Sequence, residues 1–177
     1  MSNILLAGFG GQGILFAGKQ LVLAGMKQGK EVSWLPSYGP EMRGGTCNCS
    51  VIIEDEPIGS PLVIKPDILL AFNGPSYEKF APNIVTGGKL FVDSSLVNFE
   101  GARDDIEIYP IPATTLANDN GLTGLANVIM LGYIVKKTGI FDAEYFENSL
   151  ISGIPASKAH MIDFNKKALK LGFEYEG

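Results

Sequence analysis

The chain has 177 residues, long enough for one well-buried domain. Charged residues make up 19%, below the roughly 25% usual in soluble domains, and 46% of residues are hydrophobic. That balance has two readings: surface reserved for a partner, or an ordinary compact α/β domain. A net charge of −5 gives no electrostatic reason to expect nucleic acid, because phosphate contacts need clustered Lys and Arg.

The beginning of the chain lacks a basic flank, and Gly and Gln interrupt its apolar run, so no signal peptide is expected. No apolar stretch approaches the ~20 residues that a membrane span needs. A cytoplasmic protein without membrane association is therefore expected. Cys47 and Cys49 are the only cysteines, and two thiols cannot complete a four-ligand zinc or iron–sulfur site. They are read as reduced thiols on a strand, with a redox pair as the minor alternative.

In chain order, Asn3–Ala7 (NILLA) predicts a short buried strand ending at glycines. From Gln12 to about Lys27 the pattern is helical, with Leu15, Gly18, Val22 and Gly25 or Met26 on one face and Lys19, Gln20 and Lys27 on others. Lys30–Leu35 is a second strand, completing a βαβ unit. The irregular PSYGPEMRGG leads into a strand, TCNCSVII, expected to pair with a segment near Pro57–Leu62 as an edge hairpin. Asp67–Phe72, Gly88–Asp93 and Ile106–Tyr109 read as further strands, and Pro75–Ala81 as a short helix. Asn127–Lys137 is an apolar helix closing at Gly139 with two lysines in its last turn. Asp142 is a candidate N-cap, and Lys158–Leu171 a final amphipathic helix. The sum is one domain over residues 1–177, a three-layer α/β/α fold with a Rossmann-like, mostly parallel sheet and an antiparallel edge hairpin.

Three constellations fall after strands, where open α/β sheets place ligands. GFGGQG, Gly8 to Gly13, has the spacing and the strand–loop–helix context of a phosphate-binding turn. Gly8 allows a tight turn, Gly10 and Gly11 allow close approach of a ligand, and Gly13 allows helix–strand packing. The competing reading is a tight turn without a ligand. A nicotinamide site also wants an acid at the end of the second strand, and Leu35-Pro36-Ser37 stands there instead. The second constellation, SYGPEMRGG, offers Ser37, Tyr38 and Arg43 for ligand contact or, equally, for partner docking. The third is Asn73, a ligand contact or ordinary turn chemistry. No catalytic residue and no metal ligand is assigned: His160 is the only histidine, and no Walker lysine, G-x-S-x-G or H-E-x-x-H occurs.

The combination of ILLAGFGGQGI, SYGPEMRGGTCNCSVIIEDEPIGSP and KPDILLAFN resembles the gamma subunit of the 2-oxoacid:ferredoxin oxidoreductases, over about Asn3 to Leu171. The resemblance implies a multi-subunit enzyme that decarboxylates a 2-oxoacid on thiamine diphosphate and passes electrons through iron–sulfur clusters to ferredoxin. Coenzyme A takes the acyl group. It implies alpha, beta and delta partner subunits carrying the thiamine diphosphate, magnesium and clusters, with ferredoxin an indirect partner. This chain would be a non-catalytic binding and assembly subunit near coenzyme A. The residues assigned to cofactor binding are Gly8, Gly10, Gly11, Gln12, Gly13, Ser37, Tyr38, Arg43 and Asn73, with Gly10–Gly13 and the Ser37–Arg43 loop approaching either the coenzyme A phosphates or the inter-subunit boundary. The short form with both motifs resembles the 2-oxoglutarate or 2-oxoisovalerate branch more than the pyruvate one, with 2-oxoglutarate favoured. The alternative is a stand-alone dehydrogenase binding NAD(P) or FAD.

Overall fold

The computed structural model describes residues 2–38, 46–101 and 103–177. Six strands form one sheet: β1 (Ser2–Phe9), β2 (Glu31–Tyr38), β3 (Thr46–Glu54), β4 (Ile68–Ala71), β5 (Lys89–Asp93) and β6 (Glu107–Ile111). Their order is β2-β3-β1-β4-β5-β6. From β1 to β6 all neighbours are parallel, while β3 runs antiparallel to both β1 and β2. The helices are α1 (Ile14–Lys27), α2 (Gly74–Phe80), α3 (Ala113–Asp119), α4 (Ala126–Thr138), α5 (Ala143–Ser152) and α6 (Ile162–Glu174).

The layers are unequal. On one face, Ile4, Leu6, Cys49, Val51, Leu70 and Phe91 meet helices α1, α3, α4, α5 and α6 in the larger core. On the other, Leu5, Ile52, Leu69, Leu90 and Val92 are covered by α2 and by Val63, Ile84, Val97 and Ile106 from the connecting segments. This alternation along β1 and β4 is the period-2 signature of strands buried on both faces.

The β1–α1–β2 unit forms, but its two strands are not neighbours, because β3 is threaded between them. The hairpin expected between TCNCSVII and residues 57–62 does not exist. Residues 57–62 contain no strand, and the adjoining Val63 N–H donates instead to Ser50 Oγ at 3.1 Å. The antiparallel pair at the sheet edge is β2–β3, from Glu31↔Glu54 to Tyr38↔Cys47.

Helix α1 buries Gly18 and Gly25 of the predicted face and packs Leu15 and Val22 half-buried against the core, but Gln20, placed on another face, is buried as well. Ile14, Ala17, Gly18, Gln20, Leu21, Ala24 and Gly25 are buried, while Met26 is 54% exposed. Small residues decide the orientation: a Cβ on Gly18 would lie 2.5 Å from Cys49 Sγ, and one on Gly25 would lie 3.0 Å from Val32. Those gaps let the helix sit low on β3 and β2.

Helix α4 is the centre of the helical layer. Every residue from Asn127 to Val135 is buried, so it shows no polar face over that length. Met130, Leu131 and Ile134 are fully buried and contribute about 1.5–3 kcal/mol each by area. Helix α6 crosses it at backbone distance: a Cβ on Gly172 would lie 2.1 Å from Ile129 O, and one on Gly132 2.4 Å from Leu169 O. The predicted C-cap is present, Gly139 with φ 63°. So is the N-cap of α5, where Asp142 Oδ1 accepts from Tyr145 N–H at 3.0 Å. The predicted last helix begins later than expected. Residues 156–161 form a 3-10 segment with non-helical geometry at Lys158, and His160 lies exposed in it. Helix α3 had no counterpart in the sequence reading.

Candidate functional site

The sheet edge at the carboxyl ends of β1 and β4 is the point where chain connections diverge to opposite sides of the sheet. In open α/β sheets that crevice is the ligand position. Here the glycine loop after β1 and Asn73 after β4 face one another across it, and Gln12 joins them. Gln12 Oε1 accepts from Phe9 N–H at 2.7 Å and from Asn73 Nδ2 at 3.2 Å, while its Nε2 donates to Phe72 O at 3.0 Å. Asn73 Oδ1 accepts from Ser76 N–H at 2.9 Å, capping α2, and Asn73 is 4% exposed. The polar atoms of Gln12 and Asn73 are thus engaged within the protein, bracing the loop. Gly8 makes room for the brace, since a Cβ there would lie 2.6 Å from Gln12 Oε1.

The rest of the loop is backbone. Gly11 has φ 96° with no atom near an added Cβ, and it is exposed. Gly13 has φ 73° and precedes α1, which carries no side-chain cap. The first α1 N–H to bond inside the helix is that of Ala17, donating to Gly13 O at 2.9 Å. The N–H groups of Ile14, Leu15 and Phe16 stand at the positive end of the helix dipole, suited to an anion. The sequence reading did not single out Asn127, which donates from Nδ2 to Gly13 O at 3.2 Å and holds the loop from behind. Its signal was a polar residue at the start of an otherwise apolar helix.

Ser37 and Tyr38 end β2 at the same sheet edge, and Ser37 is exposed. The pairing Gly8↔Cys47↔Tyr38 places Tyr38 two strands from the glycine loop, a span of about 10 Å. That displacement adds to the absent ribose acid. Even a carboxylate at the end of β2 would be separated from the loop by β3. Arg43 lies outside the described residues. At the other end of the edge, the fully buried Asp93 accepts from Ser95 N–H, Thr114 N–H and Thr114 Oγ1. It thereby ties the ends of β5 and β6.

Cys47 and Cys49 point to the same face of β3 as predicted, buried under α1. Burial pushes the Cys49 thiol up to about 12, and Cys47 is raised by the same cause. Thiols held protonated at neutral pH are poor nucleophiles and poor metal ligands. Among the described residues, no three His, Cys, Asp or Glu side chains are grouped to hold a metal, and no helix is long and apolar enough to cross a membrane.

The fold and its braced glycine loop define an α/β binding unit with an open anion-friendly helix start and no assembled catalytic group among the described residues. The chain belongs to the pyruvate ferredoxin/flavodoxin oxidoreductase family, whose model matches residues 3–175. It is 40% identical over 175 residues to ketoisovalerate oxidoreductase subunit VorA of Methanothermobacter thermautotrophicus. That match takes in 98% of this chain but 36% of the relative, so the chain spans about a third of that protein's length. It is 39% identical to 2-oxoglutarate synthase subunit KorC of Methanocaldococcus jannaschii, covering 93% of this chain and 90% of that one. Among solved structures, the gamma subunit of a keto/oxoacid ferredoxin oxidoreductase from Geobacter sulfurreducens superposes with a TM-score of 0.82 at 32% identity, covering 98% and 97% of the two chains. The 2-oxoglutarate:ferredoxin oxidoreductase of Magnetococcus marinus, with 2-oxoglutarate, coenzyme A and succinyl-CoA bound, superposes with 0.86 at 25% identity, over 98% of this chain and 31% of that chain.

Proposed function

We propose that this chain is the gamma subunit of a 2-oxoacid:ferredoxin oxidoreductase, an assembly subunit whose glycine loop borders coenzyme A. The end-to-end match to a gamma subunit is the observation that carries the subunit role. The uncapped start of α1 behind Gly11 and Gly13 supports the coenzyme A contact, because backbone N–H groups there suit a phosphate. Gln12 and Asn73 shape that loop from beneath, leaving Gly10, Gly11 and the helix N–H groups as the contacting surface. Ser37 and Tyr38 close β2 at the same sheet edge, and Arg43, in the motif that follows them in sequence, is the residue type suited to clamp a phosphate.

The alpha, beta and delta subunits are the partners in this reading, and ferredoxin is reached through them. Exposed Phe16, Trp34, Leu35, Leu62 and Ile64 supply apolar surface for such packing. Thiamine diphosphate, which supplies the carbanion chemistry of decarboxylation, belongs with its magnesium ion and the iron–sulfur clusters on those subunits. The chain's two cysteines, buried and protonated, do not fit a cluster. Of the substrates, 2-oxoglutarate is favoured, with the KorC relative in support. The test is steady-state kinetics of the reconstituted complex. Arg43→Ala and Gly11→Ala should each raise KM for coenzyme A about tenfold with assembly intact; unchanged KM in both would refute the coenzyme A contact.

A further inference from the structure

A groove of about 640 Å³ lies in the helical layer, between α1, the chain leading into α4, the end of α5 and the 3-10 segment before α6. Phe16, Leu125, Ile154 and Met161 form its apolar wall, with Phe16 exposed and the other three half-buried. Lys19 and Lys158 stand exposed at its margin. Neither has an ion-pair partner among the described residues, while Lys30, Lys89 and Lys136 are each held by a carboxylate. Among the described residues no carboxylate lines the groove, although the chain carries 19 Asp and Glu against 14 Lys and Arg. The groove is therefore an apolar and locally cationic strip on an acidic molecule, and apolar surface of this kind marks sites of association.

We propose that this groove docks a segment of a partner subunit that carries an Asp or Glu among apolar side chains. The proposal rests on the subunit reading above. Apolar residues of the segment cover Phe16 and Ile154, and its carboxylate pairs with the lysines at the margin, the usual division between the core and rim of an interface. A basic segment would be repelled by both lysines, and a wholly apolar one would leave their charges at the interface without a partner. The occupant is a polypeptide because one side of the groove is open. Residues 155–160 are all exposed, so what lies there must be held from its far side by something other than this chain, whereas a small ligand is usually enclosed by its site. In the longer relatives most of the polypeptide lies outside the matched unit and is available to lie against it.

The test is assembly of the full chain with the other subunits of the complex, followed by analytical ultracentrifugation. Lys19→Glu/Lys158→Glu should raise the dissociation constant at least about tenfold and weaken its salt dependence. The unfolding midpoint of the chain should stay unchanged, because both side chains are exposed. Phe16→Ala should weaken assembly by a similar factor. Lys65→Glu/Lys79→Glu, the same change of charge at exposed positions away from the groove, should leave it within about twofold. A photo-crosslinking benzoylphenylalanine in place of Phe16 should capture a partner peptide with an Asp or Glu among apolar residues. Unchanged assembly in both groove variants, equal loss in the control pair, or capture of a peptide without a carboxylate overturns the proposal. So does capture of a second copy of this chain alone, which would make the groove a self-association surface. Failure of the wild-type chain to join any such complex defeats the subunit reading, and this one with it. Normal assembly of the wild type and of both groove variants defeats this one only.

Discussion

Gly11 and Gly13 form a matched pair for testing how the loop is held. Both have positive φ, at 96° and 73°, yet their surroundings differ. An alanine Cβ at Gly11 meets no atom, whereas at Gly13 it would lie 2.2 Å from Asn127 Nδ2 and 2.8 Å from Asn127 Cγ. Gly11→Ala should therefore cost only backbone strain, about 1–2 kcal/mol. Gly13→Ala adds the displacement of Asn127 and loss of its bond to Gly13 O, for roughly 2–5 kcal/mol in all. At about 2–4 °C per kcal/mol for a chain of this size, the first lowers Tm by about 2–8 °C and the second by more. Reversible urea unfolding gives the free energies. The steric account makes a sharper claim through a double-mutant cycle: in an Asn127→Ala background, Gly13→Ala should cost no more than Gly11→Ala does. An equal cost of Gly13→Ala in both backgrounds would refute the reasoning.

Gln12→Ala removes the brace across the crevice and leaves Phe9 N–H and Phe72 O without it, so unfolding free energy should fall by about 1–3 kcal/mol; a change below 0.5 or so by urea titration would show the brace to be idle. Gly172→Ala drives a Cβ into Ile129 O and should destabilise by about 1–3 kcal/mol or more, whereas the same change at exposed Gly59, with open space around it, should be nearly silent in thermal unfolding. Arg103 and Thr86 hold the Asp105 carboxyl at about 2, so Asp105 contributes stability above its unfolded value near 3.9 that is lost as pH falls through about 2. Carboxyl NMR titration of Arg103→Gln should return Asp105 towards that ordinary value, and no movement would rule out the pair as the cause. Cys49 should resist a thiol-specific reagent at pH 8 in the folded chain and react once urea unfolds it; rapid labelling of native Cys49 would contradict its burial.

Much of this architecture was legible from local chemistry. Buried strands announced themselves as short apolar runs, and Gly139 and Asp142 marked helix ends because caps are local. Strand pairing was not local. Nothing in TCNCSVII told that it would lie between β1 and β2, since a strand buried on both faces carries no label for its neighbours. The face of α1 was legible in part: Gly18 and Gly25, which set the approach to β3 by what they lack, lay on it, whereas Gln20 is buried although its polarity put it on another face. Helix α3, with two threonines, an asparagine and an aspartate in seven residues, gave too weak a pattern to read. At the candidate site, the glycines and Asn73 stand out in the sequence, but geometry divides their roles. Gln12 and Asn73 spend their polar atoms on each other and on backbone, a meeting of residues 61 apart that no spacing rule encodes.

The burial of α4 beneath α6 has a consequence for how the molecule comes into being. The sheet, the glycine loop and α4 are all made before residue 162, yet the apolar flank of α4 that receives Ala168, Leu169 and Gly172 stays wet until α6 arrives. A nascent chain therefore cannot lock its first-made half in place early. Until residues 162–174 are available, it carries a half-dressed core open to chaperones and to aggregation.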